Sequence, residues 1–320
     1  MPTLDKNIED LVLKLEEKYK RMGQDLASYL EGRLYENYVP YWDYVHLDTL
    51  LTLQKPKTDI PDEHIFIMYH QVTELYFKMI LHEVGQVAAE PLVTKEYLIE
   101  KLNRINRYFI ILTDSFTVMS EGMEQQQFLE FRMALLPASG FQSAQYRMVE
   151  IASTDFVHLV GKDFKDQYTR NSDIEEMYKH IYWQAGATVL STGEKTLTLV
   201  QFEKKYNDDL IQMAVDYKNT NIWARYKQLS KDDQQDQKLI AAMRNIDLNV
   251  NVNWPLAHYK TAVTYLQRNP TDIAATGGTN WQKYLPPRFQ KRIFYPGLWS
   301  EDEIKEWGKT WVRQHVSDIK

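Results

Sequence analysis

The chain of 320 residues contains no cysteine. This absence excludes disulfide bonds, iron–sulfur clusters, thiolate metal sites and catalysis by a thiol. The HExxH motif is absent as well, which argues against a zinc protease. None of the eight histidines follows a glutamate by three positions, so the Glu-x-x-His pairs of di-iron helix bundles are also missing. What remains for iron is a haem held by a single histidine.

Long hydrophobic runs are missing too, since no window approaches the roughly 18 apolar residues that a transmembrane helix needs. The first twenty residues, MPTLDKNIEDLVLKLEEKYK, are charged and lack the apolar centre of a signal peptide. The net charge of −6 offers no broad basic surface for nucleic acid. We therefore expect a cytoplasmic protein that binds neither membranes nor nucleic acid.

Hydrophobic residues make up 44% of the chain, enough for a substantial core, and they recur at helical rather than strand spacing. The segment from Pro61 to about Gln86 is apolar on most faces, which predicts a buried helix. No repeat or linker divides the chain. The sequence thus predicts an all-α fold, a helix bundle in one domain over residues 1–320. Further helices are predicted at about 94–119, 123–135, 139–151, 172–190, 192–217 and 231–268, with a last one from about 301.

The amino-terminal region combines a helical stripe with an aromatic segment. Apolar residues from Ile8 to Tyr29 alternate at spacings of three and four, the pattern of one stripe on a helix. The stripe fits packing against a second subunit or against the chain's own core equally well. Residues 35–48 crowd aromatic side chains around one proline and are not predicted to be helical.

His258 is the best internal candidate for an iron ligand. It shares a predicted helix face with Trp254, Thr261 and Tyr265, and such small and aromatic neighbours suit a flat macrocycle. Pro255 is expected to bend the helix and so to place the imidazole at a cavity. The alternative, which the pattern by itself favours, is a core histidine with a satisfied hydrogen bond.

The run FLEFRMALLPASGFQSAQYRMVE has features of an anion site. Ser139 is predicted to cap a helix that begins at Gly140, and the free N–H groups of a helix start attract negative charge. Arg132 offers the planar guanidinium that matches a carboxylate, with a structural salt bridge as the default alternative. Farther along, the glycine-containing loop Thr276–Thr279 is either a closing lid or an ordinary turn.

Five runs of this sequence resemble, in the same order, those of the tryptophan 2,3-dioxygenase family, and together they span about Tyr41 to Leu285. The runs are YWDYVHLDTLLTLQ, DEHIFIMYHQVTELYFKMILHE, FLEFRMALLPASGFQSAQYRMVE, WPLAHYKTAV and ATGGTNWQKYL. The resemblance implies an α-helical homotetramer of the tryptophan/indoleamine dioxygenase type, with a helix bundle around a pocket for haem b. It also implies conversion of L-tryptophan and dioxygen (O2) to N-formylkynurenine, the first step of the kynurenine pathway.

The resemblance assigns roles to individual residues. His258, in WPLAH, is similar to the proximal ligand of the haem iron. His70, in FIMYHQ, is similar to the distal histidine, which orients the indole through its N–H rather than acting as an obligatory base. Phe66 and Phe128 match positions of the substrate pocket, and Arg132 matches the arginine that pairs with the substrate carboxylate.

The same resemblance extends to the cofactor and to the substrate ammonium group. Ser139, Gly140 and Tyr146 belong to the stretch that lies beside the haem and its bound oxygen. Thr276 corresponds to the threonine that receives the ammonium group together with a haem propionate.

Tyr41 and Tyr44 match tyrosines that complete the pocket of a neighbouring subunit, so residues 1–48 are expected to contribute there. The chain departs from the family pattern in a slightly longer spacing before Thr276, and in weaker matches after Ser191 and from Pro286 onward. Two alternatives remain at this point. One is a related haem oxygenase or hydroxylase that acts on a tryptophan derivative or another indole, and the other is a non-enzymatic haem-binding helical assembly.

Overall fold

The computed structural model describes residues 5–36, 39–189, 192–266, 286–287 and 291–309. Within these ranges the regular structure is helical, and pairing between extended segments is limited to isolated bridges such as Val160 with Ile181. The all-α prediction is therefore confirmed. No helix in this described part of the chain is both long enough and apolar enough to cross a membrane.

The chain divides into two compact units, Met1–Gln54 and Lys55–Lys320. The single domain proposed from the sequence stays a prediction. The first unit contains short helices whose apolar side chains are mostly exposed, Leu26 being a buried exception. Its helices are α1 (Lys6–Arg21), α2 (Leu26–Leu34), α3 (Tyr41–Tyr44) and α4 (Leu47–Leu50).

Gly23 separates α1 from α2. Its φ of +67° lies in the left-handed region, where a β-carbon would be strained, so α1 ends there. The predicted stripe from Ile8 to Tyr29 is consequently shared by two helices, which bring the rings of Tyr19 and Tyr29 to 4.8 Å. The prediction that residues 35–48 are not helical is wrong in part. Single turns form at α3 and α4, and the left-handed backbone of His46 interrupts them.

The second unit is built on two long helices, α5 (Asp62–Ala89) and α6 (Lys95–Ser120). The shorter α-helices are α7 (Gln125–Phe131), α8 (Ala144–Ser153), α9 (Ile174–Tyr178), α10 (Leu197–Asp216), α11 (Ile222–Gln228), α12 (Lys231–Gln234), α13 (Gln237–Leu248), α14 (Trp254–Leu266) and α15 (Glu301–Lys305). Turns of 3₁₀ helix lie at Arg132–Leu135, Gly140–Gln142, Phe156–Leu159, Lys165–Gln167, Tyr182–Ala187, Tyr217–Asn219 and Pro296–Leu298, and a π-helical turn lies at Asn249–Asn253.

The core of this unit forms where α5 packs against α6, α7, α8 and α11, while α6 also packs against α13 and α14. Apolar side chains from these helices are buried together, among them Phe77, Ile80, Leu102 and Phe109. Burial of this apolar surface is the main force that holds the helices together. The prediction of burial on most faces of α5 is wrong for one stripe, since Met68, Val72, Leu75 and Met79 remain exposed in the single chain.

Two regions predicted as continuous helices are interrupted. Residues 172–190 form α9 and then the 3₁₀ turn Tyr182–Ala187. The described residues 231–266 form α12 and α13, then the π turn Asn249–Asn253, and then α14. Buried amides bridge this π turn, with Asn249 Nδ2 donating to Asn106 Oδ1 at 2.9 Å and Asn253 Nδ2 donating to Asn249 Oδ1 at 2.9 Å. The irregularity expected at Pro255 therefore begins just before α14.

Candidate active site

A cavity of about 310 Å³ lies in the second unit, with walls from α5, α6, α8 and α14. Pockets for small molecules span about 300 to 1,000 Å³, so its size is in the range for a ligand site. The cavity brings together seven of the residues that the sequence singled out. They are Phe66, His70, Phe128, Ser139, Gly140, Tyr146 and His258.

His258 lies on α14 at the cavity wall, where the Phe116 ring stacks on it at 5.7 Å between centroids. Burial, and secondarily the neighbouring His70, lower the pKa of His258 to about 4. The imidazole is therefore neutral at pH 7 and keeps a lone pair for a metal. Within the described residues, no three His, Asp or Glu side chains are arranged to hold a metal ion together. A single imidazole facing a cavity instead suits the iron of a macrocycle.

His70 lies on α5 with Nδ1 2.7 Å from the carbonyl oxygen of Phe66. A carbonyl only accepts, so Nδ1 carries the proton and Nε2 is the acceptor. Burial lowers the pKa of His70, against the opposing effects of the Phe66 carbonyl and of Glu74. The ring is thus neutral and can accept an N–H from a ligand in the cavity. We call Phe66, His70, Phe116 and His258 the histidine wall.

Aromatic rings continue from the histidine wall along α7 and α14. The ring of Phe66 lies 4.1 Å from that of His70 and 6.1 Å from that of Phe128, between centroids. Phe128 in turn lies 4.7 Å from Tyr265, whose hydroxyl donates to the carbonyl of Met123 at 3.2 Å. This part of the cavity wall therefore consists of flat, largely apolar ring faces.

Ser139 and Gly140 line the cavity at the start of a short 3₁₀ turn. The predicted cap is present and forms a capping box, since Ser139 Oγ accepts from the Phe141 N–H at 3.3 Å and Gln142 Oε1 accepts from the Ser139 N–H at 3.3 Å. A β-carbon at Gly140 would meet no atom within 4 Å, so the backbone there borders open space. The helix predicted from residue 139 instead resumes as α8 at Ala144.

Arg132 begins the 3₁₀ turn after α7 and is 5% exposed. Burial lowers the pKa of its guanidinium. Its chain neighbours Phe128 and Leu135 line the cavity, but Arg132 itself is not among the lining residues. Its role in binding a substrate carboxylate stays a prediction.

The remaining three predicted residues are Thr276, Tyr41 and Tyr44. Thr276 lies outside the described residues. Tyr41 and Tyr44 belong to the first unit, where both side chains are largely exposed. Their assignment to a neighbouring subunit's pocket is not tested by a single chain.

The structure also shows a charged part of the cavity that sequence reasoning missed. We call Arg147, Glu150, Tyr182 and Arg292 the arginine cluster. Arg147, Tyr182 and Arg292 line the cavity, and Glu150 lies directly behind them. The spacing of Arg147 and Glu150 on one helix was a visible signal in the sequence. Arg292 gave none, because 142 positions separate it from Glu150.

Comparisons with known proteins identify the family of the chain. A family model described as tryptophan 2,3-dioxygenase matches residues 31–269. A tryptophan 2,3-dioxygenase of a Nocardioides species is 42% identical over 279 positions, which cover 81% of this chain and 92% of the relative. The enzyme of that name from Bacillus thuringiensis is 36% identical over 268 positions, covering 81% and 90%. A relative from a Ruegeria species is 43% identical over 112 positions. That match covers only 34% of this chain and 39% of the relative.

Proposed function

Because this chain belongs to the tryptophan 2,3-dioxygenase family, we propose that it converts L-tryptophan and dioxygen to N-formylkynurenine. The single observation that carries the proposal is the pair of neutral histidines, His258 and His70, that line one aromatic cavity. One imidazole is available for iron and the other for a substrate N–H. Two relatives that match over 81% of this chain are named tryptophan 2,3-dioxygenase.

The donor set fits haem b. His258 is a single neutral imidazole at the wall, and an axial histidine is a common haem ligand. Phe116 stacks on its ring and Trp254 lies 4.5 Å from Phe116, so flat apolar surfaces flank the ligand position. Ser139, Gly140 and Tyr146 complete the part of the wall that we assign to the cofactor. When bound, the haem supplies the dioxygen chemistry, which the protein side chains cannot perform.

The substrate is held by the chain's own residues. We propose that His70 Nε2 accepts the indole N–H, since Nδ1 is already engaged with the Phe66 carbonyl. Phe66 and Phe128 pack against the indole and exclude water. Arg132 pairs with the carboxylate, and Thr276 receives the ammonium group. Holding both charged groups and the ring orients the indole for reaction and removes entropy from the barrier.

We further propose that the working form is a homotetramer in which Tyr41 and Tyr44 complete a neighbour's pocket. Both tyrosines are largely exposed in the single chain, as interface residues are before assembly. The apolar stripe Met68, Val72, Leu75 and Met79 on α5 is also exposed, and contiguous apolar surface commonly marks a subunit interface.

The test is single-turnover oxidation of L-tryptophan by the purified, haem-loaded chain under ¹⁸O₂. The product should carry two ¹⁸O atoms, one in its ketone and one in its formyl group, because a dioxygenase inserts both atoms of dioxygen. Incorporation of one labelled atom would instead indicate a hydroxylase. Faster turnover of a substituted indole than of L-tryptophan would indicate a related oxygenase, and absence of oxygen consumption would indicate a haem-binding assembly without activity.

A further inference from the structure

The arginine cluster buries more positive than negative charge. Arg147 and Arg292 are each 8% exposed, and Glu150 is 0% exposed. Within the described residues, Glu150 is the carboxylate that forms ion pairs with these two arginines. Two guanidinium groups therefore share one carboxylate. A buried charge without a partner is costly, so a further anion would stabilise the cluster.

Glu150 binds one nitrogen of each arginine and so does not satisfy either guanidinium completely. Its Oε2 accepts from Arg147 Nη1 at 3.1 Å. Its Oε1 accepts from the Tyr182 hydroxyl at 2.6 Å and also from Arg292 Nη1. The Tyr182 oxygen in turn accepts from Arg147 Nη1 at 2.9 Å and from Arg292 Nη1 at 2.5 Å. These contacts use one nitrogen of each guanidinium.

Other donors of the two guanidinium groups lack strong acceptors. Among the residues that the structure describes, the buried Nε atoms of Arg147 and Arg292 have no hydrogen-bond partner. Within the same residues, Arg292 Nη2 contacts the Tyr146 hydroxyl, at 3.4 Å. Buried polar atoms of this kind normally have partners, so their lack of one is itself a signal of a missing ligand.

Aromatic rings compensate part of the charge. The Arg147 guanidinium lies 5.0 Å from the centre of the Trp183 ring and 5.2 Å from that of Phe141, and Arg292 lies 4.5 Å from the Tyr182 ring. Such contacts attract a cation, but an aromatic face is a much weaker acceptor of an N–H than a carboxylate is. The rings also surround the guanidinium groups with apolar surface, and a charge-assisted hydrogen bond is stronger in such a low dielectric than in water.

An anion in the cavity can reach the cluster, because Arg147, Tyr182 and Arg292 all line it. Glu74 is a carboxylate in the lining, but its Oε2 accepts from Gln145 Nε2 at 2.8 Å and it pairs with neither arginine. The rest of the wall near the cluster is aromatic or small, including Trp183 and Gly186. A flat apolar ring with a carboxylate at its edge fits these surroundings, because the ring can pack on the aromatic wall while the carboxylate meets the arginines.

We infer that Arg147 and Arg292 bind a propionate carboxylate of the porphyrin, and so set which edge of the macrocycle enters this part of the cavity. The inference rests on the proposed haem. It assigns the two ligand carboxylates of the active site to different arginines. The propionate goes to the arginine cluster, and the carboxylate of tryptophan goes to Arg132.

The test is titration of the full-length chain, freed of haem, with ferric haem and with its neutral dimethyl ester. The wild type should bind the free acid about 10- to 100-fold more tightly than the ester, the value of a buried charge-assisted hydrogen bond. Arg147→Gln and Arg292→Gln should each lower the ratio of free-acid affinity to ester affinity by about threefold or more, while the affinity for the ester stays nearly unchanged. The wild-type comparison needs no variant, so it remains informative if a variant folds poorly.

Arg225→Gln is the matched control, because Arg225 also has a buried Nε without a partner but does not line the cavity. Its preference for the free acid should equal that of the wild type. The inference fails if the wild type binds acid and ester equally, or if the arginine variants keep the full preference. It fails too if those variants bind haem normally but raise the KM for tryptophan tenfold, since the carboxylate bound there would then be the substrate's. If the wild type binds neither porphyrin, the proposed function falls first.

Discussion

The histidine wall and the arginine cluster line the same cavity but differ in how burial acts on them. Desolvation keeps His258 and His70 neutral, so the wall presents lone pairs and apolar rings. Desolvation lowers the pKa of Arg292, but a guanidinium keeps its positive charge at pH 7 even when it is buried. The same low dielectric therefore gives a neutral imidazole in one region and a demand for an anion in the other. A ligand that satisfied both would carry a metal for the imidazole and carboxylates for the arginines.

The largest effect that separates the two regions is expected from His258→Ala. Loss of the iron ligand should weaken haem binding by at least about 100-fold, since even the outer partners of metal ligands are worth 10- to 100-fold. Titration followed by the haem absorption band measures this. Unlike the arginine variants, His258→Ala should weaken binding of haem and of its dimethyl ester equally.

The control for this prediction is His82→Ala, because His82 is an exposed histidine on α5 outside the cavity. Imidazole added to His258→Gly should restore the spectrum of an imidazole-bound haem. A His258→Ala variant that stays fully haem-loaded and active would remove His258 as the ligand.

Arg132 is a third buried guanidinium, and its replacement tests whether the two carboxylates are bound at separate places. Arg132→Ala should raise the KM for L-tryptophan about 10- to 100-fold, through loss of a charge-assisted pair, and leave the haem spectrum intact. Arg132→Lys keeps the charge but not the planar guanidinium, so its KM should lie between those of the wild type and Arg132→Ala. If the steady-state kinetics of Arg132→Ala were unchanged, Arg132 would not be the residue that binds the substrate carboxylate.

Phe66, His70 and His258 of the histidine wall were singled out from the sequence, whereas the arginine cluster was missed. His70 and His258 each occur within a long run that resembles a family, and local helical spacing placed them among apolar neighbours. Arg292 reaches the cavity because Asp247, far away in sequence, accepts the backbone N–H groups of Phe294 at 2.8 Å and of Tyr295 at 3.1 Å. Periodicity reports local structure, so it cannot reveal such a contact.

The interrupted helices show the same limit of local patterns. Apolar residues in 172–190 follow helical spacing, yet the chain turns after Tyr178 and pairs Ile181 with Val160 as an isolated bridge. Tertiary packing overrides local preference there. The consequence is functional, because the 3₁₀ turn that follows carries Tyr182 and Trp183 into the cavity wall.

A smaller effect within the histidine wall is expected from His70→Phe. It should lower kcat/KM for L-tryptophan about 3- to 10-fold, the value of one hydrogen bond, and leave the turnover of 1-methyltryptophan, which lacks the indole N–H, nearly unchanged. Comparing kcat/KM for both substrates separates a hydrogen bond from packing. Equal losses for the two would mean that His70 acts by shape or as a base instead.

The smallest expected effect concerns pH. It tests whether burial keeps the imidazole of His258 neutral in mildly acidic solution. A protonated imidazole has no lone pair for iron, so haem binding weakens as the pH falls through the pKa of free His258. That pKa is lowered to about 4, so affinity for haem dimethyl ester should change less than about twofold between pH 7 and 5.5. With an ordinary histidine pKa near 6.5, the same change would weaken binding about eightfold. The ester is the right probe because it has no propionates to titrate, and thus isolates the histidine wall from the arginine cluster. An eightfold loss over this range would show that the cavity is wet around His258, and would undo the contrast between its two regions.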